Sequence, residues 1–328
     1  MRKIFLFLLL TLILNFSTVF AAEVWSIPEN YLQLTDTEKQ NYIYEKIYSA
    51  FNHKNLDKFP KIKFEVPDGW NYEKFNLDGL PCEVLENPAA ETDRVVLQFH
   101  GGGYILGLRE IHRDFAIKQA VMARAKKIFM FDYRLAPKNI FPAALEDSLK
   151  IYKEILRQGI PPEKIIFIGD SAGGNLVLAL SLELKEKNLP QPNCLILHSP
   201  YVTMENKLPS RKYNVENDLV LGNTISDIFY NEMRKVSYAK GLNLKNPKLS
   251  PLYADLKNLP PMLIQVGSYE IFLDECIELS KKAAACDVKS TLTIYPKMQH
   301  DFVMDFYELQ ETVDAFHEVQ NFIDTNMN

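Results

Sequence analysis

From residue 90 onward the apolar residues fall into short unbroken runs set between amphipathic stretches. Val95-Val-Leu-Gln-Phe, Ile128-Phe-Met-Phe, Ile165-Ile-Phe-Ile, Cys194-Leu-Ile-Leu, Met262-Leu-Ile-Gln-Val and Leu292-Thr-Ile-Tyr read as strands. Ala143–Gln158, Asn175–Lys187 and Phe272–Lys282 have helical patterns. A strand that is apolar throughout, rather than at alternate positions, is covered on both faces. Strands separated by helices in this way predict an α/β fold, a mostly parallel sheet wound on both sides.

Two stretches break the alternation. Residues 23–60 read as helical, with Tyr31, Tyr42, Ile43, Ile47 and Phe51 among polar residues. Residues 201–258 are too long for a simple crossover. Within them Thr224-x-x-Asp227 resembles a capping box, Ile225, Ile228, Phe229, Met233 and Val236 follow at helical spacing, and Gly241 is a stop signal. Both stretches are expected to form a cap over the carboxyl edge of the sheet, where open α/β sheets bind ligands. Residues 22–328 as a whole are expected to be a single domain, with the cap contributed by these two stretches.

The first 21 residues stand apart. Arg2 and Lys3 precede the apolar run Ile4–Leu14, and Val19-Phe20-Ala21 offers small residues at the positions a signal peptidase reads. The run is shorter than the roughly 20 residues a spanning helix needs. Cleavage after Ala21 and export to a periplasmic or extracellular space are therefore expected. Loss of two positive charges would take the net charge from −5 to −7. With 37 basic residues against 42 acidic ones and no polybasic run, nucleic acid is not an expected partner. Cys82, Cys194, Cys276 and Cys286 are expected to be free thiols, because a chain this long folds without covalent cross-links.

Chemistry concentrates in Gly169-Asp-Ser171-Ala172-Gly173-Gly-Asn175. A G-x-S-x-G run between a strand and a helix is a nucleophile elbow, a turn so sharp that its flanking positions must be small. The Ala172 amide then opens the helix, ready to donate to an oxyanion. His100-Gly-Gly102-Gly103 follows the Val95–Phe99 strand and lets bare amides approach a substrate carbonyl. Gly101, Gly103 and Gly107 miss the dinucleotide spacing by one place, and no Gly-Lys-Ser/Thr follows. His100 reads as a support for this loop.

A serine nucleophile needs a base and an orienting acid. Of His53, His100, His112, His198, His300 and His317, only His300 follows the last strand, where this class of fold presents its base. The acid should follow Met262–Val266. Glu270 lies in the turn there, whereas Asp274 and Glu275 fall in the first helical turn, where acidic residues are usual for dipole reasons. Glu270 is the first candidate and Asp274 the second. The order Ser171, Glu270, His300 is that of the α/β-hydrolases.

The segments His100-Gly-Gly-Gly-Tyr, Asp132-Tyr-Arg-Leu-Ala-Pro and Gly169-Asp-Ser-Ala-Gly-Gly-Asn, in this order, resemble the hormone-sensitive-lipase-like esterases. Phe141-Pro-Ala-Ala-Leu-Glu-Asp and Leu259-Pro-Pro-Met-Leu-Ile extend the similarity across about residues 90–305. The resemblance implies an α/β-hydrolase fold with a helical cap, and an oxyanion hole built by Gly102, Gly103 and Ala172. It implies hydrolysis of short-to-medium acyl esters through Ser171, Glu270 and His300, with no cofactor and no metal. Two positions depart from the pattern: Glu270 stands where the family commonly has Asp, and Lys138 where it usually has Glu. An amidase or deacetylase would share the triad, and a non-catalytic receptor of this fold would lack the base that His300 provides.

Overall fold

The apolar runs are adjacent strands of one sheet in the computed structural model, which describes residues 25–51, 63–225 and 235–327. In chain order the strands are β1 (Asn71–Leu77), β2 (Leu80–Glu86), β3 (Val95–Phe99), β4 (Lys127–Phe131), β5 (Ile165–Asp170), β6 (Cys194–His198), β7 (Met262–Gly267) and β8 (Ser290–Tyr295). They lie in the order β1-β2-β4-β3-β5-β6-β7-β8. β2 is antiparallel to both its neighbours, and β4 through β8 are parallel. This is the mostly parallel, doubly wound α/β architecture expected from the chain pattern, and it matches the α/β-hydrolase fold that the resemblance implies.

Among the described residues the helices are α1 (Asp36–Phe51), α2 (Glu110–Met122), α3 (Ala143–Arg157), α4 (Ala172–Glu186), α5 (Ser210–Tyr213), α6 (Leu273–Ala285), α7 (Phe302–Asp305) and α8 (Gln310–Asn326). Alternate residues of each central strand enter opposite core layers. Leu97, Phe99, Phe167, Leu197 and Ile264 pack with Leu145, Leu176 and Leu279 of α3, α4 and α6. Val96, Ile128, Ile166, Ile196 and Leu263 pack with Phe115 of α2, Phe316 and Val319 of α8, and Ile43 of α1. Both faces of the strands are thus covered, which is why their sequences do not alternate.

α1 starts at a capping box, with the Glu38 amide donating to Thr35 Oγ1 at 3.3 Å and the Thr35 amide to Glu38 Oε2 at 2.9 Å. It packs beside the chain that follows β8: Tyr42 meets Phe306 edge-on, and Lys46 pairs with Glu308 at 3.3 Å. The second long segment reaches the carboxyl ends of the strands. Asn214 Nδ2 donates to the carbonyls of Ser268 (3.0 Å) and Glu270 (2.8 Å), and the Leu219 amide to Gln299 Oε1 (2.8 Å). The export-signal segment 1–21, residues 52–60 and most of the helix expected after Thr224 lie outside the described residues. Cys82, Cys194 and Cys276 are buried free thiols and Cys286 is a partly exposed one.

Candidate active site

Strand register brings the candidate residues to one edge. Phe99 pairs with Gly169, Asp170 with His198, and Gly267 with Tyr295. The loops leaving β3, β5, β6, β7 and β8 therefore begin side by side.

Ser171 occupies φ 51°, ψ −117°, between β5 and α4. A non-glycine residue in such a region is strained by about 1–3 kcal/mol and persists only when its surroundings hold it. Here its amide donates to the His198 carbonyl (2.9 Å), and its carbonyl accepts from the amides of Tyr201 (2.9 Å) and Asn175 (3.2 Å). Gly173 is required by close approach: a Cβ there would sit 1.9 Å from the Phe99 carbonyl oxygen. Ala172 begins α4, so its amide has no partner within the helix and is available to an anion.

Facing it, the glycine loop is held by aromatic packing. His100 is fully buried, its Nδ1–H donates to the Gly101 carbonyl at 2.8 Å, and its ring stacks on Tyr133 at 4.0 Å. Tyr133 in turn donates its hydroxyl to the His100 carbonyl at 2.8 Å. Burial pushes the His100 imidazole down to about 3 and keeps it neutral. Arg134, next in the chain, is fixed by Asp147 and Glu146, so the two flanking sequence motifs meet at this support.

His300 Nε2 lies 2.9 Å from Ser171 Oγ and its Nδ1 3.1 Å from Glu270 Oε2. Glu270 is completely buried. Its other oxygen accepts from Ser199 Oγ at 2.8 Å and from the Gly267 amide. Burial pushes its carboxyl up to about 7, against the pull of His300 and the Gly267 amide. Asp274 is engaged elsewhere, accepting from the Ser210 amide at 2.7 Å and from Tyr213 Oη at 3.1 Å. Gly267 permits the loops after β7 and β8 to touch, since a Cβ there would be 2.1 Å from the Met298 carbonyl oxygen.

Two residues absent from the sequence reading join this group. Ser199, just past β6, accepts the Asp301 amide on the same Oγ that donates to Glu270, at 3.1 Å. Asp301 places Oδ2 3.1 Å from His300 Nε2. Burial alone would lower the His300 pKa, but the carboxylates of Asp301 and Glu270 override it and raise it well above the ordinary imidazole value. Asp170, fully buried beside Ser171, is pushed up by burial and by Asp301. A narrow cleft adjoins Gly103, lined by Tyr104, Ile105, Tyr201, Met204 and Tyr238. Among the described residues no group of three His, Cys, Asp or Glu side chains is placed to hold a metal ion.

A strand–Ser–helix elbow under a parallel sheet, with a histidine after the last strand, defines an α/β hydrolase, and a family profile described as alpha/beta hydrolase fold matches residues 96–304. The chain belongs to this family, among its hormone-sensitive-lipase-like members. It is 34% identical to an esterase of Acinetobacter venetianus over 246 residues, 75% of this chain and 79% of that one. An acetyl-hydrolase of Streptomyces hygroscopicus is 32% identical over 215 residues, 65% of this chain and 69% of its own. Among solved structures, an esterase from the bacterial hormone-sensitive lipase family superposes with a TM-score of 0.79 and 30% identity, covering 90% of this chain and all of that one.

Proposed function

We propose that the chain hydrolyses short-to-medium acyl carboxylic esters through Ser171, His300 and Glu270. The reading rests chiefly on one observation: the imidazole joins Ser171 Oγ at 2.9 Å to a buried carboxylate at 3.1 Å. His300 Nε2 takes the Ser171 proton as Oγ attacks the ester carbonyl carbon. The negative charge that forms on the carbonyl oxygen is received by the amides of Gly102, Gly103 and Ala172; one such donor typically contributes about 10²–10³ in kcat. Collapse of the tetrahedral intermediate breaks the carbon–oxygen bond, and His300 passes its proton to the leaving alcohol. Water then attacks the acyl-enzyme with His300 again as base, which releases the acid and restores Ser171. Glu270 keeps the proton-bearing Nδ1 oriented and stabilises the cationic ring.

Names given to similar proteins, an esterase and an acetyl-hydrolase, support the ester bond and a small acyl group. The deciding test is hydrolysis of p-nitrophenyl acetate by the purified protein and by Ser171→Ala. Wild type should turn the ester over, and the variant should lose about 10⁴-fold or more of kcat. Activity of Ser171→Ala near that of wild type would remove Ser171 from the mechanism. We also read residues 1–21 as an export signal; the amino terminus of protein recovered outside the cytoplasm should be Ala22, and an intact Met1 would contradict this.

A further inference from the structure

We infer that Asp301 is a second carboxylate partner of His300, set on its Nε2 side, a positioning residue that favours the imidazolium and so fixes the pH at which the base becomes available. This rests on the esterase reading above. The Nδ1 side of the ring meets Glu270 at 3.1 Å, as a triad requires. Its Nε2 side meets two groups at once, Ser171 Oγ at 2.9 Å and Asp301 Oδ2 at 3.1 Å. A neutral ring with its proton on Nδ1 turns a lone pair toward that carboxylate, which is repulsive. A protonated ring turns an N–H toward it, which is attractive. Asp301 therefore distinguishes the two charge states of the base.

The backbone puts Asp301 there at a conformational cost. It adopts φ 54°, ψ 31°, the left-handed region that aspartate tolerates better than most side chains. Its amide is held by Ser199 Oγ at 3.1 Å, the same oxygen that donates to Glu270 Oε1 at 2.8 Å. One hydroxyl thus fixes the carboxylates on both sides of the ring. Asp301 keeps some solvent contact, its side chain being 18% exposed, and its Oδ1 is buried with no hydrogen-bond partner among the described residues.

Other charges face the pair from every side. Asp170 from β5, Asp218 from the 201–258 segment and Asp305 from α7 act on His300. Burial pushes the carboxyl groups of all three upward, which favours their neutral forms. Arg109, ahead of α2, faces Asp170, Asp305 and Asp301; Lys46 of α1 faces Asp305; His198 at the end of β6 faces Asp301. The Phe272 ring stands perpendicular to the imidazole, with 5.0 Å between the ring centres. Asp301 is the carboxylate that contacts Nε2 itself.

The sign of the effect follows. The base must be neutral to accept the Ser171 proton, so a partner that stabilises the cation moves the acid limb of activity to higher pH. The same partner stabilises the cation formed as Ser171 attacks, so it raises the rate once the base is free. Asp301→Asn removes the charge, nearly preserves shape and tolerates the left-handed conformation. The kcat/KM for p-nitrophenyl acetate should be followed at the chromophore's isosbestic wavelength across the acid limb. The midpoint should fall by about one pH unit while the plateau drops a few-fold, and Asp301→Glu should keep the midpoint near that of wild type. An unmoved midpoint in Asp301→Asn overturns the inference. Asp301→Gly, free to adopt φ 54°, serves if the asparagine variant does not fold; if neither folds, Asp301 is a structural residue and the inference is lost. A wild-type protein without ester hydrolysis refutes the esterase reading instead, so the two failures are distinguishable.

Discussion

In the proposed reaction Ser199 carries no proton, yet its Oγ joins the loop of Glu270 to the loop of His300 through contacts with Glu270 and the Asp301 amide. Removing it leaves Glu270 Oε1 with one fewer donor and frees the backbone that carries the base. Ser199→Ala should lower kcat by about tenfold to a hundredfold with little change in KM; an unaltered kcat would reduce Ser199 to packing. Glu270→Gln and Asp274→Asn separate the two acids. The first should lower kcat by up to about 10⁴. The second should leave kcat within severalfold and instead loosen α5, whose Ser210 amide it holds. Ser171 and His300 are legible in sequence because each follows a recognisable strand, and Glu270 because it lies in a turn rather than on a helix. Ser199 and Asp301 are not. Single polar residues after a strand or a histidine form no spacing pattern, and the left-handed backbone at both, φ 45° and 54°, is not marked by a glycine at either position.

At the level of elements, the six apolar runs are β3 to β8; β3 to β7 are buried on both faces, which demands continuous hydrophobicity, whereas β8 is a partly exposed edge strand. β1 and β2 were not visible on that criterion. β1 is Asn71-Tyr-Glu-Lys-Phe-Asn-Leu, exposed along most of its length at the sheet edge. Its signal was of another kind: Asp78-Gly79 is a two-residue hairpin turn, and both residues have positive φ, 46° and 87°. The attachment of α5 is equally hidden, because it rests on buried polar contacts: Asp274 holds the Ser210 amide, and an ion pair joins Arg211 to Glu275. Arg211 and Glu275 are both buried, and the guanidinium lies over the Phe272 ring, 4.4 Å from its centre. Glu275 also accepts the amides of Val202 (3.0 Å) and Thr203 (3.2 Å), and burial pushes its carboxyl up to about 7 against the pull of Arg211. Arg211→Ala strands that carboxyl without its cation and should cost about 3–5 kcal/mol in urea unfolding. Adding Glu275→Gln should recover part of the loss; a loss below about 1 kcal/mol would mean the pair is replaceable by solvent.

Across the whole molecule, composition names no substrate, and the size of the acyl group must be argued from how the two long segments join the sheet. Asn175, four residues after Ser171, accepts the Tyr104 hydroxyl at 2.6 Å and donates to the carbonyls of Tyr201 (2.7 Å) and Leu249 (3.1 Å). One buried amide thus ties the glycine loop to both ends of the 201–258 segment. Tyr104 stacks on Tyr238 of that segment at 3.9 Å, and the two rings wall the cleft beside Gly103. A wall of stacked aromatics, with the Tyr104 hydroxyl hydrogen-bonded behind it, does not yield to a longer chain, because opening it exposes rings and unpairs that buried hydroxyl. Acetate and butyrate esters should therefore outpace long-chain esters in kcat/KM. Tyr238→Ala removes one face of the wall while leaving the Tyr104 hydroxyl paired. Each methylene newly buried there is worth about 0.8 kcal/mol, so the preference for a longer acyl group should rise by about fourfold per methylene until the enlarged cleft is filled. An ester series from acetate to decanoate measures this directly. A wild type that favours the long end, or a Tyr238→Ala profile that superposes on it, would place the limit on chain length elsewhere than at this aromatic pair.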